Sequence, residues 1–378
     1  MVLFWLCFFF FLETGCYRLS EQEINQGKPI RTFDEWQSLG KTEPVQSIVC
    51  SGSGALRLIS YLDASEKVLA VEQIEKQSSG FATYRLRHPE FAELPVFGEG
   101  HGRDNIEFLL NMNPKPEAII RVDNPGTGVD PQLLQARTGI PVILLPYGDL
   151  GNERLQLNQT LRLLGQILGK KEKAESLIAF IDAQINELIE RTRNIPKEKR
   201  PTVYLGGLSY RGAHGINSTT TIYPPFDWLH LNHPASSLVS ETLRANHIMV
   251  SKEQILAWNP DFLFVDLGTL ALADSSGFTE LYNQSIYRSL KALQNQQLYP
   301  LLPNNSYNTN FDAMLANAWF IGKTVYPEQF KDVDLAKKWD EISRFMLNDS
   351  FMNVFPEKFL TILNKPVCET LPLDGTND

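Results

Sequence analysis

An eight-residue pattern occurs twice in this chain, and it constrains the fold more than any other feature. Glu107-Phe108-Leu109-Leu110-Asn111-Met112-Asn113-Pro114 and Glu253-Gln254-Ile255-Leu256-Ala257-Trp258-Asn259-Pro260 share a glutamate, two aliphatics and a closing Asn-Pro. The copies lie 253 − 107 = 146 residues apart, and each feeds an apolar run, "PEAIIRV" or "DFLFVDL". A short amphipathic helix that stops at Asn-Pro and delivers the chain into a buried strand is one step of an α/β lobe. Two such steps so far apart call for two lobes of related build, and 378 residues are more than one ordinary core accommodates.

The rest of the chain supports that division. "VQSIVC" (45–50) reads as a strand running into the small-residue turn of "SGSGALRLISYL", where Leu56, Ile59 and Leu62 take helical spacing. "KVLAVE", "EAIIRV" and "IPVILLP" read as further strands alternating with helices, which predicts a parallel sheet with crossover connections. From 153 to 193 the pattern is helical throughout, interrupted by Gly165 and Gly169. Leu177, Ile178, Ile181, Ile185, Leu188 and Ile189 share one face of its second part. A second α/β block opens at "TVYLGGLSY" (202–210) and closes with a helix from about Asp312 to Val325. The expected fold is α/β: two Rossmann-like lobes with parallel sheets, residues 45–168 and 200–365, joined by one long helix, 170–193.

The N-terminus differs in kind. Val2 to Leu12 is an apolar run too short to span a bilayer but long enough for a signal-peptide core. The Lys or Arg that normally precedes such a core is missing, which leaves room for a start further upstream. Gly15-Cys16 looks like the end of a lipoprotein leader with Cys16 acylated, although Glu13 stands where that signal wants an aliphatic residue. Residues 1–16 are therefore expected to be a signal or lipoprotein leader and 17–44 a tether, with the protein exported to the periplasm or cell surface. Four cysteines, Cys7, Cys16, Cys50 and Cys368, form no disulfide framework. A net charge of −9 supplies no basic stripe for phosphates, so no nucleic-acid partner is expected.

The chain resembles the bacterial solute-binding proteins that serve ABC importers of iron–siderophores, haem, cobalamin and molybdate-type oxyanions. The resemblance covers roughly residues 45–345. It is carried by "IVCSGSGALRLISYL", "NIEFLLNMNPKPEAII", "LRLLGQILGKKEKAESLIAFID", "VSKEQILAWNPDFLFVD" and "NAWFIGKTVYPEQF". It implies two rigid lobes with the ligand between them, and one glutamate per lobe, Glu107 and Glu253 here, offered to a dimeric permease. Both glutamates also suit the first turn of a helix on electrostatic grounds alone.

Strand-to-helix turns facing the opposite lobe are the candidate ligand sites, because helix N-termini leave N–H groups free. In the first lobe these are Ser51, Gly52, Ser53 and Gly54. Arg57, one turn on, reads as a surface or lobe-packing residue. Arg121 and Tyr147, at or just beyond strand ends, read as the cleft cation and phenol. In the second lobe "LSYRGAHGINSTTTIYPPF" offers Tyr210, Arg211, His214 and Tyr223, and "NSYNTNFD" adds Tyr307 and Asn308. The expected ligand is a metal chelate such as an iron–siderophore, with a molybdate- or tungstate-type oxyanion as the alternative. A zinc- or manganese-binding lipoprotein is a further reading, from His214, His230, His233 and His247, but no tight ligand pair appears among them. A hydrolase is not expected. "CSGSGA" lacks the first glycine of a nucleophile elbow and "GHGRDN" lacks the G-K-[ST] of a phosphate loop. No cofactor is expected.

Overall fold

The structure, a computed structural model, describes residues 28–77, 82–238 and 247–354. The leader with Cys16 and the first part of the tether, 17–27, lie outside the described residues, as does the chain beyond 354.

The first lobe is built on five parallel strands: β1 Ile48–Ser51, β2 Val68–Glu72, β3 Val96–Gly98, β4 Ala118–Val122 and β5 Val142–Leu145. Their order is β3-β2-β1-β4-β5, a doubly wound arrangement whose order reverses beside β1. Alternate residues of β1 enter different cores. Ile48 and Cys50 join the main cluster with Leu56 and Ile59 of the helix Ala55–Tyr61. Val49 joins Phe97, Leu109 and Leu134 on the opposite face. Burial on both faces explains why these strands read as continuous apolar runs.

The second lobe contains β6 Val203–Gly206, β7 Ser218–Thr219, β8 Ile248–Met249, β9 Phe262–Asp266 and β10 Leu298–Leu301. β10, β9 and β6 make a three-stranded parallel sheet, and β7 with β8 a small antiparallel pair. The repeated pattern occupies the expected place in both lobes. Its helices, Ile106–Asn111 and Lys252–Trp258, precede β4 and β9.

The helical stretch 153–193 is two helices, Arg154–Leu168 and Lys171–Thr192. Gly169 separates them by taking a left-handed conformation (φ 71°), from which its N–H reaches the Gly165 carbonyl. The second helix runs for about 33 Å, at about 1.5 Å per residue. Of the expected face it buries Leu177, Ile178, Ile181 and Leu188, with Ile185 and Ile189 partly buried, and Ala174 joins them. Gln184 sits in the same stripe with both amide atoms occupied, accepting from Trp319 Nε1 (2.8 Å) and donating to Glu341 (3.0 Å).

Two expected boundaries change. Residues 28–44 are no tether. Ile30 pairs with the β5 edge, and Trp36, on a helix capped by Thr32 and Glu35, is 1% exposed. The C-terminal helix Leu335–Leu347 packs on Phe311–Val325 of the second lobe, with Trp339 Nε1 donating to the Ala316 carbonyl (3.0 Å), and reaches the first lobe as well. Leu335–Leu347 packs against Ala55–Tyr61 and Thr83–Arg87 of the first, and Arg87 Nε donates to the Leu347 carbonyl (3.1 Å). The lobes thus share a back as well as a connecting helix.

Candidate ligand cleft

In both sheets the strand C-termini point toward the opposite lobe, so the loops that follow them form the cleft walls. The ten predicted ligand residues divide into three groups there.

Ser51, Arg121 and Tyr223 do not face the cleft. The Ser51 hydroxyl donates to Asp104 Oδ1 (2.8 Å), and Arg121 Nη1 pairs with Asp104 Oδ2 at 2.6 Å with both side chains buried. Arg121, expected as the cleft cation, is committed to a carboxylate 17 residues away in sequence. Tyr223 is 2% exposed, its ring edge-on to Phe226 at 4.8 Å and its hydroxyl accepting from Asn317. It caps the short helix Pro224–Trp228 instead of lining a loop.

Tyr147, Tyr307 and Asn308 seal the inner part of the gap. Tyr147 Oη accepts from Arg57 (3.0 Å) and donates to the Thr309 carbonyl (3.0 Å). Tyr307 Oη donates to Glu72 (2.8 Å) and accepts from the His101 amide. The Asn308 amide donates to the Ser53 carbonyl (2.8 Å). Arg57 belongs here as well. It is fully buried and donates to Ser306 and Asn310 of the other lobe, which makes it a lobe-packing residue.

Ser53, Tyr210, Arg211 and His214 remain at the outer mouth. Ser53 Oγ lies 3.0 Å from His101 Nδ1. Tyr210 is 45% exposed and stacks on His247 at 4.5 Å, with His214 5.3 Å from the same imidazole. Arg211, exposed and at φ 54°, lies over the Tyr210 ring at 5.5 Å and has no ion-pair partner among the described residues. Burial, followed by the charges of Arg103 and Arg211, pulls the His101 imidazole below its ordinary range. Arg211 therefore stands close enough to act on a first-lobe residue across the gap.

Three residues of the cleft escaped the sequence reading. His101 lies in "EGHGRDN", whose glycines suggest only a phosphate loop that lacks its G-K-[ST]. His247 was read only as part of a metal set. That set comes apart: His230 bonds Thr192 at the end of the connecting helix, and His233 is buried against Phe226. Glu72, the last residue of β2, accepts both the Gly52 and Gly102 amides on one oxygen (3.1 Å each) and Tyr307 on the other. Two loop amides that could otherwise face an anion, those of Gly52 and Gly102, are thus occupied by the protein's own carboxylate. A hollow of about 620 Å³ lies behind the same loop, lined by Val96, Glu99, Arg103, Asn105 and Val129. Its arginine is paired with Glu99 at 2.9 Å.

Glu107 and Glu253 are both exposed and both occupy the second helical position. They follow caps of one type, in which Asn105 accepts from Phe108 N and Ser251 from Gln254 N.

Residues 48–304 match the periplasmic binding protein family. The chain belongs to that family. It is 22% identical over 318 residues to the molybdate-binding protein MolA of Haemophilus influenzae, covering 79% of this chain and 83% of MolA. It is 24% identical over 198 residues to an iron-uptake system-binding protein of Bacillus subtilis, covering 52% and 57% of the two chains. In structure it superposes on molybdate-bound MolA with a TM-score of 0.62 at 18% identity, covering 82% of this chain and 94% of that one. The periplasmic haem-binding protein HutB of Vibrio cholerae gives 0.53 at 22% identity, with 75% and 99% covered. The family's two-lobed fold, with parallel sheets and a long connecting helix, is the fold of this chain.

Proposed function

We propose that the protein is the extracytoplasmic solute-binding component of an ABC importer and captures a metal chelate of the iron–siderophore kind at the outer mouth between its lobes. The observation that carries this reading is the position of Arg211. An exposed guanidinium with no carboxylate partner among the described residues stands over Tyr210 and within electrostatic reach of His101, beside Ser53 and His214. A cation, phenols, imidazoles and a hydroxyl suit the anionic, aromatic rim of a chelate. Delivery falls to a two-fold permease, docked through Glu107 and Glu253.

The similarity to MolA supports a second reading, a bare oxyanion. The site favours the chelate. A small oxyanion is best held by converging amides, and the Gly52 and Gly102 amides already donate to Glu72. The inner gap is filled by 303–310, so a ligand at the mouth stays partly in solvent, as a large chelate tolerates and a small ion does not.

Native mass spectrometry with elemental analysis tests this reading on protein purified without added metal. One equivalent of a ferric or related chelate, with no affinity for molybdate, is expected. Stoichiometric molybdenum or tungsten without an organic ligand overturns it.

A further inference from the structure

Every residue from Ser306 to Asn310 hydrogen-bonds to the first lobe. The Ser306 carbonyl accepts from Arg57 and its hydroxyl from Arg85 (3.0 Å). Tyr307 donates to Glu72, Asn308 to the Ser53 carbonyl, the Thr309 carbonyl accepts from Tyr147, and Asn310 Oδ1 accepts from Arg57. The same segment is held at its neck by its own lobe. The Asn310 amide donates to the Asn304 carbonyl (2.9 Å), and the Asn304 amide to Asp266 at the end of β9 (2.7 Å). It is a loop fixed at the base and inserted at the tip.

The tip is also strained. Tyr307 and Asn308 both take positive φ, 54° and 97°. For side-chain-bearing residues such conformations persist only where the surroundings enforce them, at a cost of about 1–3 kcal/mol each. The turn's own bonds, Ser306 N to the Asn308 carbonyl and Asn308 N to Asn305 Oδ1 (3.0 Å each), set this shape, and the contacts with the other lobe hold it in place. Parting the lobes would expose the Glu72 carboxylate and leave buried donors without acceptors, so the element has two distinct states and not a continuum.

We propose that residues 303–310 form an inter-lobe latch, in which the Tyr307 hydroxyl engages the Glu72 carboxylate, and that Glu72 is the positioning residue that sets lobe separation. The Gly52 and Gly102 amides hold the carboxylate in place from within the first lobe. Asp104, paired with Arg121, lies behind it, and the His101 amide completes the far side of the Tyr307 hydroxyl. The latch explains why the inner gap is closed while the mouth is open. A solute at Ser53, His101 and Arg211 would hold together two walls whose separation this contact governs. That purpose rests on the solute-binding reading; the latch itself does not.

Amide hydrogen exchange on the full-length protein without ligand tests it, comparing wild type, Tyr307→Phe, Glu72→Gln and the double variant. Tyr307→Phe removes one hydroxyl and leaves the Ser51–Gly54 turn untouched in sequence. Loss of the latch should nevertheless speed exchange about tenfold both in that turn and in 99–103, the scale of one lost hydrogen bond. The double variant should exchange no faster than the faster single one, because both substitutions break the same contact. Wild-type exchange at 51–54 in Tyr307→Phe, or additive effects in the double variant, overturns the proposal. Should Glu72→Gln fail to fold, Tyr307→Phe alone decides. Because no solute is present, a failed latch leaves the importer reading standing, and the reverse holds too.

Discussion

The two lobes reach the cleft with opposite chemistry. The first offers short turns at the ends of five strands, and most of its polar groups are already paired internally: Ser51 and Arg121 with Asp104, the Gly52 and Gly102 amides with Glu72. The second has a three-stranded sheet and two long loops, 207–216 and 303–310, whose side chains reach outward. One loop crosses to the first lobe and seals the gap. The other leaves Tyr210, Arg211 and His214 facing the opening. On the proposed reading, related lobes divide the work, the first acting as a rigid receiver and the second as the reader of the ligand.

Removing Asp104 probes the receiver and should have the largest effect. Asp104→Ala strands the Arg121 guanidinium, 3% exposed, without its carboxylate. A loss of about 3–5 kcal/mol in the urea or thermal unfolding free energy is expected. Stability near wild type would show that the pairing is dispensable and the first lobe less rigid than argued.

Arg211→Ala probes the reader. Titration with the chelate identified in the purified protein should weaken by about 1.5–3 kcal/mol, the worth of a charge-assisted hydrogen bond. Unfolding should stay within about 0.5 kcal/mol of wild type, as at other exposed sites. The reverse pattern would move recognition to the first lobe.

The receiver should also carry a pH signature. Burial pushes the Glu72 carboxyl from 4.5 up to about 7, against the Gly52 and Gly102 amides and Tyr307, which pull it down. The folded chain holds this proton more tightly than the unfolded one. Its contribution to stability is therefore fully present below about 4.5 and lost as pH rises through about 7. Wild type should lose about 1–3 kcal/mol relative to Glu72→Gln over that window. Parallel stability curves for the two proteins would contradict the burial assigned to Glu72.

The smallest effect on binding is expected at Glu107 and Glu253. Both are exposed at helix starts, so Glu107→Lys with Glu253→Lys should change ligand affinity by less than about 0.5 kcal/mol. Uptake in cells should fail, since the reversal costs several kcal/mol of docking, on the order of that for like charges meeting. Full uptake would return both residues to a helix-capping role.

The longer parallel strands are legible in the sequence because they are buried on both faces, and the connecting helix because its apolar spacing is unbroken. The duplicated pattern located two equivalent helix starts. The site was harder to read. Arg121 sits at a strand end, where a ligand cation belongs, but its partner Asp104 comes from a different loop, and no local pattern records that pairing. Tyr223 lies in a Thr-rich stretch that looks like a loop and is buried by the helix it caps. His101 stands between two glycines after a three-residue strand, β3, which is too short to show periodicity. Nothing in "KVLAVE" singles out Glu72. Only the fold brings it beneath two glycine amides and opposite Tyr307.

The division of labour is tested most directly by a crystal structure of the protein with its co-purified ligand. The account predicts one ligand bridging the mouth, within hydrogen-bond distance of Arg211 and contacting His101 or Ser53, with Glu72 still bound to the Gly52 and Gly102 amides. A ligand seated on those two amides in place of Glu72, or one in the hollow behind Arg103, would contradict it.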